Sequence, residues 1–154
     1  MEVREVVLRN GKKVVLIKDC YNANLDSMMK VIDFCSELKN VGKKIFVLAD
    51  MKELGAESEK SHEAVGSRVC ETGASQVYLV GPEMQTAYNV VMQKNADISA
   101  TWYSESNDVN FAEIADSINL AANDNDVILL KGSHSMQLEK LVPLLDTADG
   151  EETK

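Results

Sequence analysis

The run Asp19-Cys20-Tyr21-Asn22-Ala23-Asn24 places an acid, a phenol and two carboxamides directly after an apolar segment, VVLIK. A tight corner needs one turn former, so four hydrogen-bonding groups together are more than the turn itself requires. Asp50 follows a second apolar run, KIFVLA, and a third, DVILLK, ends in Lys131 and leads into Gly132-Ser133-His134-Ser135. An ammonium, an open Gly-Ser corner and a hydroxyl before a helix suit an anion. Gly81-Pro82 closes a fourth run, QVYLV. Each residue also has a simpler use. Asp19, Asn22 and Asn24 fit turn formers or helix caps, Asp50 fits a cap, and Lys131 could pair with Asp50 or snorkel. His62 reads as a packing or loop-anchoring residue, and neither histidine has a spaced metal-ligand partner. Nothing near Cys20 would make it a nucleophile.

The chemistry is only useful if the elements bring these groups together. Residues 3–18 read as a β-hairpin around Asn10-Gly11, a type I′ signal between β-branched runs. A helix is expected over about 26–38, where Met28, Met29, Ile32, Cys35 and Leu38 recur at helical spacing. KIFVLA reads as a strand buried on both faces. Helices are expected at about 59–72, 83–94 and 108–122, strands at QVYLV, TWYS and DVILLK, and a closing helix at MQLEKLVPLL, disturbed by Pro143. After the hairpin, the strand–helix alternation implies a mostly parallel Rossmann-like α/β sheet with helices on both faces. Ligands of such sheets bind beyond the carboxyl ends of the strands. The polar clusters at 19–24, 50 and 131–134 are therefore expected to share one edge. Strand order is not legible.

The chain has 154 residues, with 45% hydrophobic residues, enough for one globular domain. The expected domain is 1–147, followed by a disordered acidic tail at 148–154. A net charge of −9 argues against nucleic acid as a partner. No apolar run approaches a membrane span, and the charged start MEVREVVLRNGKK does not read as a signal peptide. Three widely spaced cysteines form no disulfide framework and fit a reduced, cytoplasmic protein. GxGxxG, GxxxxGK[ST] and GxSxG are all missing from the chain. It therefore has no sequence-level grip on ATP phosphates.

Three separated stretches carry a resemblance. YNANLDSM at 21–28 resembles a YNANPDSM signature, and LADMKELGAESEKSHEAVG at 48–66 is similar to LGDMxELGxxSxxxHxxVG. LLKGSHSMQLEKLV at 129–142 resembles LKGSRSMxLExVV. These are signatures of the Mur ligases that add D-alanyl-D-alanine to UDP-N-acetylmuramoyl-tripeptide in peptidoglycan synthesis, and the match is to their C-terminal domain. The resemblance implies ATP-dependent ligation through an acyl phosphate. ATP and Mg would be bound mainly by a central P-loop domain, and the UDP moiety by an N-terminal one. The C-terminal domain would swing onto the central one.

On that reading Asp19, Tyr21, Asn22 and Asn24 would face the nucleotide. Asp50 would orient the dipeptide ammonium, and Lys131, Ser133 and His134 would hold its carboxylate at a helix N-terminus. No catalytic group and no metal ligand are expected in this chain, which alone would be inactive and bind ligands weakly or not at all. The chain departs from the signatures at Leu25 (proline), Ala49 (glycine) and His134 (arginine). The alternative is a stand-alone receiver-like signalling or nucleotide-binding module, with Asp50 as phosphoacceptor.

Overall fold

A computed structural model describes residues 1–95 and 97–147; the expected acidic tail at 148–154 lies outside them. Strands β1 (Glu2–Val7) and β2 (Lys13–Asp19) form the hairpin. Then come α1 (Leu25–Glu37), β3 (Lys44–Ala49), α2 (Ser58–Cys70), β4 (Gln76–Val80) and α3 (Met84–Lys94). β5 (Ser99–Tyr103), α4 (Asp108–Ala121), β6 (Val127–Lys131) and a short α5 (Val142–Leu145) complete the order.

The six strands form one sheet in the order β1-β2-β6-β3-β4-β5. The β1–β2 pair is antiparallel and the other pairs are parallel. β3 is buried from Ile45 to Ala49 and β6 throughout, because helices cover both faces. On one face α4 packs Phe111, Ile114 and Ile118 with Leu138, Leu141 and Leu145. On the other, α1, α2 and α3 pack Met28, Ile32, Val65, Val69, Ala87 and Val91. Met28, Val31, Ile32 and Cys35 are the buried residues of α1, at the spacing of one helical face.

Two local expectations are corrected. The hairpin turn is not type I′. Gly11 N donates to Leu8 O and Leu8 N to Lys12 O, and Gly11 takes φ +83° while Asn10 does not have positive φ. This is a three-residue loop closed by a left-handed glycine. The Asn10 amide is used instead to reach Asn119 O and Ala122 O at the end of α4. The closing segment is also not one helix. It forms 3-10 turns at His134–Met136 and Leu138–Leu141, separated by Gln137 at φ 58°, and only then α5. Pro143 sits in the first turn of α5, where its missing N–H costs nothing.

Candidate functional site

The register fixes the rim. Asp19 pairs with Lys131, Leu48 with Lys131, Ala49 with Val80, and Val80 with Tyr103. The carboxyl ends of β2, β6, β3 and β4 therefore lie side by side, and the clusters at 19–24, 50 and 131–134 open on one edge, as expected from the topology rule.

At the β2–β6 end, Lys131 is 1% exposed and is already engaged. Its Nζ donates to Asp19 Oδ2 at 3.0 Å and to Asn22 O at 2.6 Å. Its ion partner is thus Asp19, not Asp50, and it holds the 19–22 corner rather than an open anion site. Asn24 is the N-cap of α1: its Oδ1 accepts from Ser27 N at 2.9 Å, while Ser27 Oγ accepts from Asn24 N at 3.1 Å. Tyr21 and Asn22 remain exposed, Tyr21 at 83%. The Tyr21 and His134 rings lie 5.8 Å apart at 49°. They flank an open cavity of about 370 Å³ that also touches Asp19, Cys20 and Glu139. Burial, with the Glu139 charge adding to it, pushes the Cys20 thiol up to about 12, so it stays protonated and inert.

At the β3–β4 end, Asp50 is fully buried. Its Oδ1 accepts from Met84 N at 2.8 Å and its Oδ2 from Glu83 N at 3.2 Å, so it caps α3, which has no side-chain cap of its own. Gly81, at φ +115°, is needed here because a Cβ would run into the Asp50 carboxylate. Asp50 Oδ2 also accepts from Lys52 Nζ at 3.0 Å. With both oxygens engaged and no exposure, Asp50 presents no free face to a dipeptide ammonium in this arrangement. Nor does it suit the phosphoacceptor of a receiver-like module.

His62 is buried and anchors the loop after β3. Its Nε2 accepts from Met51 N at 3.2 Å, so Nδ1 carries the proton and donates to Ser58 O at 2.7 Å.

Ser133 joins the two ends. Its N donates to Asp50 O at 3.1 Å, and its Oγ accepts from Lys52 N at 2.9 Å. Gly132 lets this close approach happen, since a Cβ there would come within 2.6 Å of Ala49 Cβ. The expected helix N-terminus after Ser133 is a three-residue 3-10 turn, too short to present a dipole to a carboxylate. Ser133 is half-buried and His134 exposed, so these two keep a face toward solvent.

Two rim residues were missed in the sequence. Lys52 and Glu83 flank Asp50, with Lys52 Nζ 3.4 Å from Glu83 Oε2 and Ser58 Oγ donating to Glu83 Oε1 at 2.6 Å. Glu83 follows Gly81-Pro82, so reading three residues past the end of that strand would have found it. Burial pulls the Lys52 ammonium down, but the bond to Asp50 and the charges of Asp50 and Glu83 carry it above the ordinary lysine value. Asp50, His62 and Glu83 bring ligand-type atoms within 4.8 Å of one another. A lysine cation already bridges the two carboxylates, and His62 Nε2 already accepts a backbone N–H. The group is built around Lys52 rather than around a metal.

The family described as "Mur ligase, glutamate ligase domain" matches residues 2–134. A UDP-N-acetylmuramoyl-tripeptide–D-alanyl-D-alanine ligase of Treponema pallidum (strain Nichols) is 33% identical over 132 residues, covering 86% of this chain and 28% of the relative. The Escherichia coli (strain K12) ligase of the same name is 33% identical over 136 residues, covering 85% and 26%. Among solved structures, the Thermotoga maritima MurF ligase in complex with ADP superposes with a TM-score of 0.71 at 25% identity, over 93% of this chain and 29% of that one. The chain thus spans between a quarter and a third of the length of these relatives.

Proposed function

The chain belongs to the Mur ligase family, as its glutamate ligase domain, and from that premise we propose that it serves a ligase joining D-alanyl-D-alanine to UDP-N-acetylmuramoyl-tripeptide at the expense of ATP. Its part is to close over the nucleotide held by a central domain and to present the dipeptide. The observation that carries this reading is the convergence of all three signature stretches on one rim. Alone, the domain is expected to be inactive and to bind these ligands weakly or not at all.

In the reaction the tripeptide carboxylate is activated by ATP as an acyl phosphate, and the dipeptide amine displaces phosphate to form the amide. The chain's residues contribute position and dryness. Tyr21 and Asn22, exposed on the β2 corner, face the nucleotide, with Asp19 in the adjoining cavity wall. Ser133 offers its hydroxyl proton to the dipeptide carboxylate, and His134 stands beside it. Asn24, Asp50 and Lys131 act at one remove, by fixing the α1 cap, the α3 N-terminus and the 19–22 corner. Magnesium belongs to the central domain: the cluster around Lys52 does not fit it, and no step here runs through it. No helix among the described residues is long and apolar enough to cross a membrane. We place the reaction in the cytoplasm, where ATP is available.

The test is dipeptide-dependent ADP release by the complete ligase carrying this domain. Asn22→Ala and Tyr21→Ala are expected to lower it at least tenfold while the domain stays folded. Unchanged ligation in both variants would remove the nucleotide-facing role.

A further inference from the structure

The group around Asp50 contains two carboxylates and one ammonium, with His62 Nε2 beside them taken up by Met51 N. The carboxylates outnumber the ammonium by one negative charge. It does not reside on Asp50, which is fully buried, caps α3 and holds Lys52 at the shorter distance. It resides on Glu83, whose side chain is 35% exposed and 3.4 Å from the Lys52 ammonium. Burial alone would raise the Glu83 carboxyl, but the Ser58 hydrogen bond and the Lys52 charge hold it below the usual range, so it is ionised at neutral pH. Its Oε1 is fixed by Ser58, so the carboxylate is set in place rather than free to wander.

The surroundings give this charge a direction. Lys52 N donates to Ser133 Oγ, which brings the 131–134 corner against the same loop. A short zwitterion lying across Lys52 would meet a carboxylate at one end and the Ser133 hydroxyl at the other. We infer that Glu83 is a substrate-positioning residue that holds the ammonium end of the incoming dipeptide, in place of Asp50. This deepens the functional reading above and rests on it.

The experiment uses the complete ligase with this domain labelled with 15N, since the domain alone is expected to bind weakly or not at all. It is titrated with D-alanyl-D-alanine and, separately, with N-acetyl-D-alanyl-D-alanine, which keeps the carboxylate but lacks the ammonium. The free dipeptide is expected to shift the amides of Ser58, Glu83, Met84 and Ser133. The acetylated probe should bind at least about tenfold more weakly, as expected for loss of a charge-assisted hydrogen bond. Glu83→Gln should reduce the free dipeptide to the level of the acetylated one, and Glu83→Asp should recover part of the difference. Equal binding of the two probes, or no shift centred on Glu83, overturns the inference. In the complete ligase, dipeptide-dependent turnover with a KM unaltered by Glu83→Gln sinks this inference alone. Absence of such turnover in the unsubstituted ligase sinks the functional reading, and this inference with it.

Discussion

Replacing Asp19 by Asn would strip the charge partner from a lysine that water cannot reach. Lys131 Nζ sits 3.0 Å from Asp19 Oδ2, and at the effective dielectric of a near-surface site the attraction is on the order of 5 kcal/mol. Desolvating Lys131 offsets much of that in the intact pair. Removing one partner leaves the desolvation cost with no compensation, about 3–5 kcal/mol. Asp19 is 25% exposed and Lys131 1%, so the two halves of the pair are not equivalent. Asp19→Asn keeps an acceptor near the ammonium, which favours the lower end, about 3 kcal/mol. Lys131→Met removes the buried charge itself and leaves a carboxylate that water can reach, at about 1 kcal/mol. The double variant should resemble Lys131→Met rather than the sum. Urea unfolding at constant m reads these differences, and for a domain of this size the Asp19→Asn loss corresponds to a fall in Tm of about 6–12 °C. Equal losses in the two single variants, or an additive double variant, would refute the assignment of Lys131 to Asp19.

Three further outcomes are expected. Gly132→Ala should destabilise by about 1–3 kcal/mol through overpacking against Ala49; adding Ala49→Gly should return part of that loss, and a strictly additive pair in denaturant unfolding would contradict the contact. Leu25→Pro should be tolerated, because residue 25 is the first helical position after the extended Asn24 cap. The gain of up to about 1 kcal/mol from a stiffer unfolded chain is offset by lost packing of the half-buried Leu25, and a loss above about 2 kcal/mol would show that the corner needs the leucine. The Glu83 carboxyl is lower in the folded than in the unfolded chain, so its contribution is complete above the ordinary value of 4.5 and is lost as pH falls through the folded value. Glu83→Gln should flatten that part of the stability–pH curve, and an unchanged curve would count against the Ser58 and Lys52 contacts.

What the sequence determined by itself was the set of elements and the edge on which the polar groups gather. Local periodicity and capping carry the first: the Met28–Cys35 stripe and the Asn24/Ser27 cap depend only on near neighbours in the chain. The second follows from parallel alternation, which sends every strand's carboxyl end to the same side. The closing segment was misread because Leu138, Leu141 and Leu145 have helical spacing, yet Gln137 turns left-handed to bring Met136 and Leu138 onto α4.

Only the tertiary structure decided which group on the rim holds which. Lys131 has β2 on one side and β3 on the other because β6 lies between them, and that order is set by packing across the whole sheet. Once the order is fixed, register puts Asp19 opposite Lys131, while Asp50, past the end of β3, turns to the open N–H groups of α3. Side chains that looked alike from the sequence, an acid after each of two strands, were thereby sorted by burial. The acids next to unsatisfied donors were absorbed into the scaffold, and Glu83 was left half-exposed, sharing the Lys52 ammonium with Asp50 and held by Ser58.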